Sequence, residues 1–139
     1  MAKPWDVVLF QRHASDDPEQ SCPAEEFFNE IPNLVAQKLF SIIDAVAEAP
    51  PPQFEGGGKW EAMHDDMTGF YEARTSGPDH RLYRVFCILE HQAPGLDGPS
   101  IVIITGRSKP IGTAFTKADF DAVRRLGEEY RRHIPRNVV

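Results

Sequence analysis

Two arginines lie inside segments that otherwise have the composition of β-strands. Arg74 belongs to GFYEART and Arg84 belongs to RLYRVFCILE, and the turn-forming stretch SGPDH separates the two segments. Strand interiors favour β-branched and aromatic residues, so these arginines are expected to point out of a sheet, toward water or a ligand. The guanidinium fork suits phosphate. The pattern predicts either a phosphate-binding surface or an exposed cross-strand set of ion pairs with Glu72 and Glu90.

Two further cations follow in the second half of the chain. Arg107 and Lys109 belong to RSKPIGTAF, whose glycine and proline predict a loop. Tyr83, His80 and His91 are the candidates for proton transfer, and the spacing alone does not fix their geometry. The five histidines are scattered, without a pair like that of a stand-alone ribonuclease, so neither that chemistry nor a metal site is expected.

Composition places the chain among single soluble domains. It has 139 residues, a net charge of −6 and two cysteines, Cys22 and Cys87. This length suits one domain, 1–139, with its own core. The cysteines have neither CxxC spacing nor neighbouring histidines, which favours free thiols in a reducing cytoplasm over zinc. No apolar run reaches the roughly 18 residues of a membrane span, no signal peptide is recognised, and no cofactor is expected.

Charge is divided unevenly along the sequence. Residues 1–66 hold four Lys and Arg against thirteen Asp and Glu, whereas residues 67–139 hold eleven against eight. An acidic protein exerts no long-range attraction on nucleic acid. A local arginine cluster can still bind phosphate at short range.

Hydrophobic periodicity predicts the order β-α-α-β-β-β-α, an α+β plan. KWEAM is either a short strand or an extended lead-in, and SIVIITG has the composition of a central strand. Thr116 is expected to cap the last helix together with Asp119. The other predicted elements are a strand at Trp5–His13, a short helix from Pro23 to about Pro32, an amphipathic helix over Asn33–Ala49 with its stripe at Val35, Leu39, Ile42, Ile43 and Val46, a loop over Pro50–Lys59, and a hairpin formed by GFYEART and RLYRVFCILE.

The last predicted helix, TKADFDAVRRLGEEYRRHI, has many charges. Its spacing predicts solvated i,i+4 pairs, Arg124 with Glu128 and Arg125 with Glu129. Gly127 is expected to weaken this helix by ~1 kcal/mol relative to alanine.

The second half resembles a known protein family. Trp60, GFYEAR, YRVF, IVIITGRSKPIGTAFTKADFDAV and a basic last helix, in this order, resemble the RelE/HigB superfamily of bacterial toxins, most closely its phage-derived Gp49-like, HigB-type branch. The similarity covers about Asn33 to His133 and is strongest from Phe70 to Val123. It implies a RelE-like fold, in which a small antiparallel sheet packs on two N-terminal helices and a C-terminal helix follows.

The resemblance also implies a function. Members of the superfamily are toxins of type II toxin–antitoxin pairs, and many cleave mRNA in the ribosomal A site without a metal, by attack of a 2′-OH on the adjacent phosphate. The family's site corresponds here to Arg74, Arg84, Arg107 and Lys109, with Tyr83 as a candidate for proton transfer. The implied partners are a cognate antitoxin, expected to be a helix-turn-helix protein, together with the ribosome and mRNA.

Three departures from the family pattern keep other functions open. Glu72 stands where RelE-type enzymes have a lysine, Phe115 stands where some members have a tyrosine, and the chain is acidic. One alternative is a ParE-like inhibitor of a protein target, which is not an enzyme. The other is a decayed module that only binds its antitoxin.

Overall fold

The computed structural model describes residues 4–49 and 58–139, which form three helices and one five-stranded mixed sheet. The α+β class predicted from the sequence is therefore confirmed. A short 3-10 helix, Asp65–Met67, precedes the third strand. The elements in chain order are β1 (Asp6–Leu9), α1 (Pro23–Glu30), α2 (Asn33–Glu48), β2 (Trp60–Ala62), β3 (Phe70–Ser76), β4 (Arg81–Glu90), β5 (Ser100–Pro110) and α3 (Lys117–Arg132). Of the predicted loop over Pro50–Lys59, residues 50–57 lie outside the described residues.

The strand order is β1-β5-β4-β3-β2, and the expectation of a purely antiparallel sheet is wrong at one edge. β1 runs parallel to β5, from Asp6 opposite Ser100 to Leu9 opposite Ile103. A parallel neighbour needs a long crossover connection, and the helical pair followed by the hairpin supplies it. The order predicted from the sequence also contained four strands, whereas KWEAM forms the additional edge strand β2.

Helices cover both faces of the sheet. α1 and α2 pack on the face that we call the helix-pair face, and α3 packs on the opposite one, the α3 face. Full burial of a large apolar side chain contributes about 1.5–3 kcal/mol, so each layer is held by several such contacts. The core on the helix-pair face includes the buried residues Val35, Leu39, Ile43, Val46, Tyr83 and Val85. The core on the α3 face includes the buried residues Phe10, Phe86, Ile88, Val123 and Tyr130.

β5 is longer than its composition suggested. The segment after SIVIITG was expected to be a loop, but it continues the strand to Pro110, paired with β4 as far as Arg81. The register shifts after Phe86, where β5 contributes one extra residue. Gly106 allows α1 to approach closely, since a Cβ there would lie 2.4 Å from the ring of Phe27. The glycine therefore serves packing inside a strand rather than a turn.

The cap predicted for the start of α3 is present, whereas one of the ion pairs predicted along the helix is not. The side chains of Thr116 and Asp119 form the expected reciprocal cap. Glu129 is buried, and its carboxylate pairs with Arg12 at 2.9 Å, so the predicted solvated pair of Glu129 with Arg125 is wrong. Gly127 lies against Phe70, whose ring would be 2.4 Å from an added Cβ. Packing against the sheet thus explains a glycine that is unfavourable for the isolated helix.

Leu9 and Val139 exchange two backbone hydrogen bonds, of 3.0 and 2.9 Å, and Phe10 forms a bridge with Val138. The last residues therefore extend the sheet beside β1. Among residues 4–49 and 58–139, no helix has the length and apolar character needed to cross a membrane.

Candidate nucleic-acid interface

The register of the sheet aligns three arginines. Arg74 of β3 lies directly opposite Arg84 of β4, and Arg84 lies directly opposite Arg107 of β5. Directly opposed residues project from the same face of a sheet, which here is the α3 face. Lys109 follows Arg107 by two residues and therefore projects from the same face. The backbone thus brings together four of the five residues selected from the sequence.

A buried carboxylate links two of these arginines. Glu72 is only 5% exposed, and it accepts a hydrogen bond of 3.2 Å from Nη1 of Arg84. Its other oxygen lies 3.5 Å from Nη1 of Arg74, which also pairs with the exposed Glu61. The Arg74 Nε donates to the carbonyl oxygen of Gly58 at 2.7 Å. These contacts fix both guanidinium groups in place, and they also neutralise part of their charge.

The ring of Phe115 lies close to two of these cations, Arg84 and Lys109. The guanidinium carbon of Arg84 lies 5.0 Å from the centroid of the Phe115 ring, and Nζ of Lys109 lies 5.4 Å from the same centroid. Lys109 also donates to the carbonyl oxygen of Thr113. We call Arg74, Arg84 and Lys109, with the ring of Phe115, the cationic face. Its three cations exceed the two carboxylates of Glu72 and Glu61 by one charge.

Arg107 forms no ion pair with Glu72 and no ring contact with Phe115 in the described parts of the chain. Its charge acts on Asp119, whose pKa is lowered by hydrogen bonds from Thr116 and further by Arg107. β1 pairs with β5 only as far as Ile103, so the edge of β5 near Arg107 has no neighbouring strand among the described residues. The residue lines clefts between this edge and α1. Its Nε is buried and has no hydrogen-bond partner in the described parts of the chain.

Tyr83 lies on the helix-pair face and not with Arg84. Alternation along β4 places neighbouring residues on opposite faces. Its side chain is 3% exposed and its hydroxyl donates to the carboxylate of Asp79. Burial, followed by this hydrogen bond, raises the pKa of Tyr83. A buried phenol held on the wrong side of the sheet cannot reach a phosphate bound by Arg84.

The other two proton-transfer candidates also lie elsewhere. His91 follows β4 and packs edge-on against Trp5, with 4.9 Å between the ring centroids. His80 is an exposed residue of the β3–β4 turn with a positive φ of 58°. In residues 4–49 and 58–139, no histidine or tyrosine is hydrogen-bonded to Arg74, Arg84 or Lys109. The described residues of the cationic face therefore offer cations that suit a phosphate but no imidazole or phenol for proton transfer.

The structure also contains a histidine pair that the sequence did not reveal. His13 and His133 stack with their ring centroids 4.3 Å apart, although 119 residues lie between them. His133 Nε2 is 2.6 Å from Asp16, and His13 Nδ1 accepts from the backbone N–H of Ser15. Parallel rings in contact leave no room for a phosphate between them. They lie beyond the C-terminal end of α3, whose 16 residues span ~24 Å, so they are remote from Phe115.

The sequence predicted one further member of the site in part and missed another. Glu72 pairs with Arg74 and Arg84 as the exposed ion-pair alternative expected, but it is buried. Glu90 pairs with Arg136 instead. The position of Glu72 two residues before Arg74 was the available signal, because i and i+2 share a face in a strand. Phe115 was noted only for the hydroxyl that it lacks, and no sequence signal placed its ring under Arg84.

The residues described provide no obvious place for a metal. Among residues 4–49 and 58–139, no three His, Cys, Asp or Glu side chains are grouped as ligands. Cys87 is buried, which raises the pKa of its thiol, and Cys22 is partly buried; neither forms a disulfide.

Comparison with known proteins gives no relative: no family model, no curated protein and no solved structure matches this chain. The interpretation of the cationic face therefore depends on its own geometry and on the sequence resemblance described above.

Proposed function

We propose that this protein is the toxin of a type II toxin–antitoxin pair and that it cleaves mRNA on the ribosome, in the cytoplasm. The observation that supports the proposal is the cationic face, where Arg84 and Lys109 meet over Phe115 and Arg74 lies beside them. Arginine forks and a lysine suit the charge that develops on a phosphate during attack by a 2′-OH. The sequence resemblance to RelE/HigB toxins points to the same residues.

The ribosome has a specific part in this proposal. The described residues of the cationic face include cations and an aromatic ring but no phenol or imidazole that could act as base or acid. A net charge of −6 gives little attraction for free RNA. The ribosome would hold the 2′-OH in line with the phosphate and supply the missing proton-transfer groups. We therefore expect cleavage of translated mRNA and none of naked mRNA.

The experiment compares purified protein with naked mRNA and with mRNA on translating ribosomes. Cleavage sites are mapped by primer extension for the wild type, Arg84→Ala and the control Arg125→Ala. Arg125 is an exposed arginine of α3, so the control removes the same charge away from the cationic face. We expect cleavage only with ribosomes, loss in Arg84→Ala and no change in Arg125→Ala. Equal cleavage of naked and translated mRNA would refute the ribosome requirement.

A second candidate follows from the salt bridges. Glu72 and Glu61 neutralise much of Arg74 and Arg84, which favours a module that binds its antitoxin without cleaving RNA. The antitoxin is expected to be encoded by the adjacent gene and to cover the cationic face with acidic residues. Growth arrest after induction separates the candidates, because only an active toxin arrests growth. Purification of both proteins after co-expression tests the partnership, and recovery of this protein alone beside a folded neighbour would contradict it.

A further inference from the structure

A second group of cations lies where the edge of the sheet meets α2. Residues 1–66 hold only four Lys and Arg, and two of them, Lys38 of α2 and Lys59 just before β2, line the same cleft. The cleft has a volume of about 590 Å³, within the range of ligand sites. In residues 4–49 and 58–139 neither lysine has an ion-pair partner. Their charges are therefore free to act on a ligand, whereas Arg74 and Arg84 share the carboxylate of Glu72.

The lining of this cleft is made of donors. Lys38, Ser41 and Ala45 follow one another at i, i+3 and i+7, so they form one stripe of α2, and the two small side chains leave space beside the sheet. The end of β3 supplies the opposite wall with Thr75 and Ser76. Ammonium groups only donate, and the exposed serines add hydroxyl donors. No Asp or Glu belongs to the lining that the structure describes, so the cleft suits an anion.

The cleft adjoins the cationic face around the edge of the sheet. The backbone N–H of Arg74 donates to the carbonyl oxygen of Lys59 at 2.9 Å, and Arg74 lies directly opposite Arg84. Neighbouring strands lie about 4.8 Å apart, so these three residues form a row that spans ~10 Å. Lys38 continues the row from the sheet edge onto α2. A run of cations beside an aromatic ring, here Phe115, is the arrangement that binds a single nucleic-acid strand along its backbone.

We propose that this cleft is a second phosphate-binding site, which holds the backbone of a single RNA strand as it passes from the cationic face around the sheet edge to α2. The proposal rests on the proposed function for the identity of the strand as RNA. Lys38 and Lys59 neutralise the backbone phosphate, and the hydroxyl groups of Ser41 and Ser76 donate to its oxygens. Contacts to phosphate position a strand without reading its bases. The cleft therefore adds affinity and orientation without a preference for sequence.

The probe is a hexauridylate with 2′-O-methyl groups, which cannot be cleaved, titrated into the whole protein at low salt and followed by NMR. Titration of 5′-UMP tests a single phosphate. We expect the hexamer to bind more tightly than UMP and to shift the amide signals of Ser41 and Thr75 in the cleft together with that of Phe115. Shifts confined to Phe115, or equal Kd values for the hexamer and UMP, would overturn the proposal. Neither a ribosome nor cleavage enters this assay, so it can fail or succeed independently of the proposed function.

Variants locate the site. Lys38→Ala and Lys59→Ala each remove one exposed cation, and each should raise the Kd for the hexamer by about 2- to 5-fold. Each should also reduce the slope of log K against log salt by about 0.7, the contribution of one neutralised phosphate on a single strand. The shift of Phe115 should persist in both variants. Arg125→Ala removes the same charge elsewhere and should leave the slope unchanged. An unchanged slope in both lysine variants, or an equal loss in Arg125→Ala, would refute the cleft.

Discussion

Replacement of Arg84 by alanine tests the cationic face, and the structure predicts two separate losses. The first is a loss of stability. Arg84 donates at 3.2 Å to the buried carboxylate of Glu72, a contact that contributes about 1.5–3 kcal/mol, and it lies over Phe115, which adds about 0.5–1 kcal/mol. In the variant, the buried carboxylate of Glu72 still has Arg74 at 3.5 Å, so it keeps a cationic partner. We expect the free energy of unfolding to fall by about 2–4 kcal/mol.

The second loss is in activity. Removal of one fixed donor to a developing phosphate charge typically lowers the rate by about 10²–10³. The double variant Glu72→Gln/Arg84→Ala separates the two effects, because a neutral amide at position 72 no longer needs a cation. Its unfolding free energy should recover part of the loss, whereas its cleavage rate should not recover.

The assay combines chemical denaturation with single-turnover cleavage of ribosome-bound mRNA, for the wild type, both variants and Arg125→Ala. Recovery of the rate together with stability in Glu72→Gln/Arg84→Ala would show that Arg84 acts only through folding. A fully active, folded Arg84→Ala protein would likewise remove Arg84 from the proposed site.

Three further predictions concern packing, thiols and pH. Gly127→Ala should lower Tm, because overpacking against Phe70 costs about 1–3 kcal/mol and exceeds the ~1 kcal/mol gained in helix propensity; a higher Tm would contradict the 2.4 Å approach. Cys87 should resist thiol reagents in the folded protein at neutral pH, since it is fully buried and its pKa is raised, and mass spectrometry of the labelled native protein checks this. The hydrogen bond from His133 lowers the pKa of Asp16, so this carboxylate stabilises the fold above its ordinary pKa, and the stabilisation is lost as pH falls through the lowered pKa. Asp16→Asn should therefore flatten the decline of Tm between about pH 5 and about pH 2. An unchanged slope would argue against the contact.

Much of the fold could be predicted where local signals agree. The stripe of Val35, Leu39 and Ile43 predicted α2, and the Thr116–Asp119 cap marked the start of α3. Prediction failed where distant partners decide the structure. The direction of β1 depends on pairing with β5, and the continuation of β5 through Arg107 depends on pairing with β4.

The candidate site was only partly predictable for the same reason. Periodicity along one strand correctly separates Arg84 from Tyr83, since residue i+1 lies on the other face. It gives no register between strands, so the alignment of Arg74, Arg84 and Arg107 appears only in the sheet. Periodicity also does not predict the path of the loop before α3, and that path brings Phe115 beneath Arg84.

The pairing of Leu9 with Val139 has a consequence for folding kinetics. The β3–β4 hairpin joins residues close in sequence and can form early, whereas β1 must wait for β5 and then for the last residues. Contacts between distant parts of a chain raise contact order, and high contact order slows folding because loop entropy is lost before the contacts form. During synthesis β1 therefore stays without these two neighbours until β5 and then Val139 have emerged, so this edge of the sheet is completed after the β3–β4 hairpin.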